Sequence, residues 1–104
     1  MELKIYWTDF AKSELKDIFR FYYENVGLKV ANNIVKGIIG HTLSLSLQPE
    51  MGAVEPLLEN RKIVFRYLVY KNYKIIYWHN KEKNRIDISD VFDTRQNPIK
   101  MERI

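Results

Sequence analysis

Leu3, Ile5 and Trp7 alternate with Lys4 and Tyr6, and this period of two predicts a short strand over Leu3–Trp7 with one buried face. Thr8 then suits a helix N-cap, with Asp9 placed in the first turn where a negative charge favours the helix dipole. Ala11, Leu15, Ile18 and Tyr22 recur at spacings of four, three and four, which is one face of a helix. Lys12, Lys16 and Arg20 share the opposite side with Glu14, Asp17 and Glu24, the pattern of a solvated face with helical charge pairs. Gly27 is placed to end that helix. A second helix is predicted over Leu28–Leu47, with Ala31, Ile34, Val35, Ile38 and Leu45 as its stripe, widened by Ile39 and Leu43. Gly37 and Gly40 interrupt it, and Pro49 stops it.

Gln48–Asn60, punctuated by Pro49, Gly52 and Pro56, reads as a loop crossing from helices to sheet. Three strands follow. Lys62–Tyr70 is apolar on both faces, so its pattern alone does not choose a core side. Lys71-Asn72 reads as a tight hairpin turn, in which Asn tolerates the left-handed conformation. Tyr73–His79 is the second strand, Asn80–Asn84 a charged turn, and Arg85–Phe92 the third strand. The order β-α-α-β-β-β implies an α+β, two-layer domain over residues 1–104, a helical hairpin on a mostly antiparallel sheet.

The chain contains no cysteine, which excludes disulfides, thiolate zinc sites and a cysteine nucleophile. Two separated histidines and scattered acids give no metal motif, and no cofactor is expected. No apolar run reaches the ~20 residues a bilayer span needs, and MELKIYWTDF lacks the features of a signal peptide. The expectation is a cytoplasmic protein without a membrane partner.

Charge changes the picture more. Between Arg61 and Arg85 there are eight Lys or Arg (Arg61, Lys62, Arg66, Lys71, Lys74, Lys81, Lys83, Arg85) against one acid, Glu82, a local +7 within a chain of +4. Such a field concentrates an anionic partner, either nucleic acid or an acidic protein. Tyr67, Tyr70, Tyr73, Tyr77 and Trp78 interleave with these cations, which suits either a base-stacking surface or an aromatic core.

Four segments resemble the RelE/ParE superfamily of bacterial type II toxins. They are the opening WTDFAKSELKDIFRFY, the loop LSLSLQPEMGAVEPLLEN, the hairpin Arg61–Tyr77 with its Tyr-Lys pair before Ile-Ile-Tyr, and the closing DVFDTRQNP. The resemblance implies a growth inhibitor neutralised by a cognate antitoxin, with which it forms a hetero-oligomer. RelE-like members cut mRNA in the ribosome, whereas ParE-like members inhibit DNA gyrase. RNA cleavage without metal requires proton transfer and cations around a phosphorane. On this resemblance Lys74 falls on a catalytic Arg position, Arg95 on a C-terminal Arg and Lys62 on a further basic position. Arg61, Arg66, Lys71 and Tyr73 would then extend a basic binding surface.

Asp93 stands where many members carry His, and no tyrosine follows it, which removes two natural proton donors. His79 at a strand end and Glu50 in the loop are the remaining acid–base candidates; His41 belongs to a helix. The sequence therefore favours gyrase inhibition over an mRNA endoribonuclease using Lys74, Arg95 and Lys62. An inactive binding module is the third reading.

Overall fold

A computed structural model describes residues 2–96 and 98–103; Asn97, within the closing DVFDTRQNP motif, lies outside the described residues. Strand β1 is Lys4–Trp7, and helices α1 and α2 are Asp9–Asn25 and Leu28–Thr42. A two-residue strand β2 (Ala53–Val54) precedes β3 (Arg66–Tyr70), β4 (Tyr73–Asn80) and β5 (Arg85–Asp93). The sheet order is β1-β5-β4-β3-β2, antiparallel except where β1 runs parallel to β5.

Local chemistry explains the helix ends. The Thr8 Oγ1 accepts from the Ala11 N–H at 3.1 Å and donates to the Ile88 carbonyl at 3.0 Å. One side chain thus caps α1 and ties it to β5, a cap worth about 1 kcal/mol. At the other end the Val26 and Gly27 N–H groups both donate to the Tyr22 carbonyl, at 2.8 and 2.9 Å. Gly27 has φ 142°, which a side chain would strain, and its carbonyl accepts the first bond of α2 from Ala31. It stops one helix and starts the next.

α2 ends at Thr42, five residues before the predicted Leu47. The Thr42 Oγ1 donates to the Ile39 carbonyl at 2.7 Å, and the chain tightens into a 3-10 turn, Leu43–Ser46. That turn buries Leu45 completely, and its Ser46 carbonyl accepts from the Leu3 N–H at 2.9 Å. β3 also begins later than predicted, at Arg66 instead of Lys62. Ile63 and Val64 are exposed, while the Glu55 N–H takes the Phe65 carbonyl at 2.9 Å. In the β3–β4 turn it is Lys71, not Asn72, that adopts positive φ (54°). Asn72 instead uses its carbonyl to accept both the N–H and the Oγ1 of Thr94, each at 2.8 Å.

Both faces of the sheet are buried, which is why β3 shows no clean alternation. Tyr73, Ile75 and Tyr77 face the helices and pack with Ala11, Ile34 and Ile38. On the far face Ile76 and Phe92 form a smaller cluster with Leu58, Phe65 and Met101, where Trp78 and Tyr67 pack at the margin. Met101 comes from a terminal 3-10 turn, Pro98–Arg103, laid across that face. The β4–β5 register shifts between Ile76 and Tyr77: Ile76 pairs with Asp90 and Tyr77 with Ile88, leaving Ser89 as the extra residue of a bulge. The bulge moves Asp90 and Phe92 to the far face while Ile86, Ile88 and Val91 stay toward the helices.

Candidate functional site

The three cations assigned to a phosphate site do not converge. Lys74 points to the far face, where it pairs across the sheet with Val69 and Phe92. Its ammonium donates to both carboxylate oxygens of Glu55, at 2.8 and 3.3 Å, and lies 4.3 Å from the Tyr67 ring centroid. The Glu55 side chain is fully buried and Lys74 retains 22% exposure. A buried carboxylate without a countercharge is strongly unfavourable, so Lys74 is committed to Glu55.

Arg95 lies on the other side. It shares a cleft of about 510 Å³ with Tyr73, Val91 and Ile18, all on the helix-facing side, and with Glu14, Asp17 and Arg103. Its Nε and Nη2 donate to the two carboxylate oxygens of Asp93 at 3.1 and 2.9 Å, and its backbone N–H adds a third bond at 2.9 Å. These bonds, with one from Asn72 Nδ2, hold the Asp93 carboxyl at about 2, below its ordinary 3.8. Asp93 is therefore an ion near neutral pH and cannot donate a proton. Burial, followed by the Tyr22 hydroxyl bonded at 3.5 Å, pushes the Tyr73 hydroxyl well above its ordinary value. Tyr73 is 3% exposed and belongs to the core, with only a small part of its surface on the cleft wall.

Arg103, which lines this cleft, also makes a pairing that the sequence did not reveal. Asp90, fully buried, accepts from Arg103 Nε and Nη2 at 3.1 and 2.8 Å, and Arg103 Nη2 also reaches Glu14. Burial raises the Glu14 carboxyl, partly offset by Arg103. The Arg103 guanidinium lies 4.9 Å from the Phe10 centroid. Arg103 thereby joins the last turn to α1 and β5. Asp87, Asp90 and Asp93 are each ion-pair partners, to Arg85, Arg103 and Arg95.

Of the remaining cations, Arg61 and Lys71 lie apart, and three others share one cleft. Arg61 donates to the Glu102 carbonyl at 3.0 Å, and Lys71 lies 5.6 Å from the Tyr70 centroid. Arg66 donates to the Gly52 carbonyl at 2.9 Å, and the Tyr77 hydroxyl accepts from the Gly52 N–H at the same distance. Lys62, Arg66, Lys81, His79, Trp78 and Glu50 line a second cleft of about 360 Å³. His41 is elsewhere, edge-on to Tyr70 at 5.4 Å. Among the described residues no group of three or more His, Asp or Glu is placed to hold a metal ion, and no helix is long and apolar enough to cross a membrane.

The family described as ParE toxin of type II toxin-antitoxin system, parDE, matches residues 5–98. Among solved structures, one titled "Chromosomal ParDE TA system from P. aeruginosa" has the same fold, with a TM-score of 0.73 and 19% identity, covering 88% of this chain and 96% of that one. No curated protein sequence matches. With nearly the whole domain matched, from β1 to the terminal turn, the chain belongs to the ParE family of type II toxins.

Proposed function

We propose that this toxin arrests growth by binding and inhibiting DNA gyrase without cutting nucleic acid, and that a cognate antitoxin neutralises it in a hetero-oligomer. The observation that carries this reading is the separation of the presumed nuclease cations. Lys74 answers a buried carboxylate on one face of the sheet, and Arg95 answers Asp93 on the other. With Asp93 held ionised, the position that carries His in many relatives supplies no general acid.

An antitoxin would find apolar surface at the tip of the helical hairpin, where Phe21, Tyr23, Val26 and Leu28 are each more than half exposed. The sheet also ends in two strands, β1 and β2, whose outer edges are unpaired among the described residues.

The test is induction of the chain alone in a bacterium, followed over minutes by labelled-methionine incorporation and plasmid supercoiling. Loss of supercoiling while synthesis continues supports gyrase as the target. A fast fall in synthesis with intact supercoiling overturns the reading.

A further inference from the structure

We propose that the second cleft, between the 62–64 segment and the ends of β3 and β4, binds single-stranded nucleic acid one nucleotide at a time. In this arrangement a backbone phosphate sits among Lys62, Arg66 and Lys81, and a base lies on Trp78. The site is a binding surface with no cleavage step, and neither Lys74 nor Arg95 lines it.

Charge is the first support. Two cations of the basic field read from the sequence are ion-paired in the fold, Lys74 with Glu55 and Arg85 with Asp87, and beyond that field Arg95 is paired with Asp93 and Arg103 with Asp90 and Glu14. Lys62 and Lys81 make no ion pair among the described residues, yet both line this one concavity. Arg66 joins them with its orientation fixed by the Gly52 carbonyl at 2.9 Å. That bond uses one guanidinium donor, and a guanidinium has five, arranged to match phosphate oxygens. Glu50 is the single carboxylate of the cleft, so the site is net positive, and a concave wall of one sign focuses its field on an anion.

Aromatic chemistry is the second. Of the aromatics interleaved with the basic strands, Tyr73 and Tyr77 are buried, Tyr67 is occupied by Lys74 and Tyr70 stands against His41 and Lys71. Trp78 is partly exposed, and it shares the cleft with His79 and the three cations. Flat aromatic faces beside lysines and arginines are what unpaired bases and their phosphates require. An acidic peptide would satisfy the cations but leave the indole without a partner. The volume, about 360 Å³, is at the small end of ligand sites, suited to one nucleotide unit rather than a folded protein.

The experiment is titration of the full chain with a fluorescent dodecameric oligothymidylate, and with oligouridylate of the same length, between about 50 and 200 mM salt. Three phosphate contacts predict that log K falls against log salt with a slope of about −2, since each contact on a single strand contributes about −0.7. Lys62→Gln and Lys81→Gln each weaken binding several-fold and flatten the slope by about 0.7. Glu50→Gln tightens binding. Lys29→Gln, on the exposed side of α2, leaves it unchanged. In the unmodified protein the Trp78 indole N–H resonance moves on titration, a readout that needs no variant. Tighter binding of the thymidylate assigns the strand as DNA, and tighter binding of the uridylate assigns it as RNA. The proposal is overturned if Lys29→Gln weakens binding as much as Lys62→Gln, or if neither oligonucleotide binds at the lowest salt. It is also overturned if polyglutamate displaces the oligonucleotide while the Trp78 resonance stays in place. None of these outcomes depends on whether gyrase is the target.

Discussion

Replacing Lys74 by Gln separates a structural role from a catalytic one. The substitution removes the charge facing Glu55, whose side chain is fully buried and accepts two bonds from the ammonium at 2.8 and 3.3 Å. Breaking a buried pair from one side costs about 3–5 kcal/mol, most of it the penalty of the stranded carboxylate. Lys74 is 22% exposed, so water reaches one end of the pair, which sets the expected loss near the lower bound, about 3 kcal/mol. In a domain of this size that lowers Tm by about 12–24 °C, and it removes a large part of a typical total stability of 5–15 kcal/mol. Chemical denaturation read by far-UV circular dichroism measures it directly. Removing both charges together, Lys74→Met with Glu55→Leu, should restore most of the loss, because no charge is then left buried. The reasoning fails if Lys74→Gln stays within about 0.5 kcal/mol of the parent, the range of ordinary surface changes, while toxicity disappears. Lys74 would then act on a target and not on Glu55.

Other perturbations follow from the same geometry. Asp93 is held at about 2, below its ordinary 3.8, so its contribution to stability is complete above that ordinary value and is lost as pH falls through about 2. Carboxyl NMR should show the low midpoint, and Arg95→Gln should move it upward. Arg103→Gln strands the fully buried Asp90 and should cost about 3–5 kcal/mol by urea titration, more than neutralising the exposed Lys100. Gly40→Ala meets open space within α2 and should stabilise by about 1 kcal/mol. Gly52→Ala places a methyl 2.5 Å from the Tyr67 carbonyl oxygen and 2.8 Å from the Tyr77 hydroxyl, and should cost about 1–3 kcal/mol in the same assay.

The elements that local chemistry dictates were legible. Thr8 caps α1, the four-three-four spacing gives its inner face, and the charged turns delimit β4 and β5. Elements whose limits depend on distant contacts were misplaced. α2 is apolar through Leu47, but it ends at Thr42 because a tighter turn places Leu45 in the core. β3 starts late because Phe65 is drawn toward the segment carrying Glu55. The site was the least legible part. Lys74 stands where a catalytic cation is expected, and nothing in the order of residues shows that Glu55, nineteen positions earlier, is buried beneath it. Ser89 likewise looks like one more strand residue, yet as a bulge it decides which side of the sheet Asp90 occupies. The clue that was available was the excess of acids in an otherwise basic half. Asp87, Asp90 and Asp93 at every third position fit no exposed strand face, and each has an arginine partner.

The parallel pairing of β1 with β5 sets a timetable for synthesis. Lys4 aligns with Arg85 and Trp7 with Ile88, so the first strand has no place in the sheet until the last one has been made. Ribosomes add about 5–20 residues per second, and the early helices can form while β1 waits as an unpaired edge. A nascent chain halted before Arg85 lacks both the strand that joins β1 to β4 and the seat for Thr8, whose hydroxyl bonds to Ile88. Products that stop before Arg85 therefore cannot assemble this sheet, whose first strand waits for the fifth.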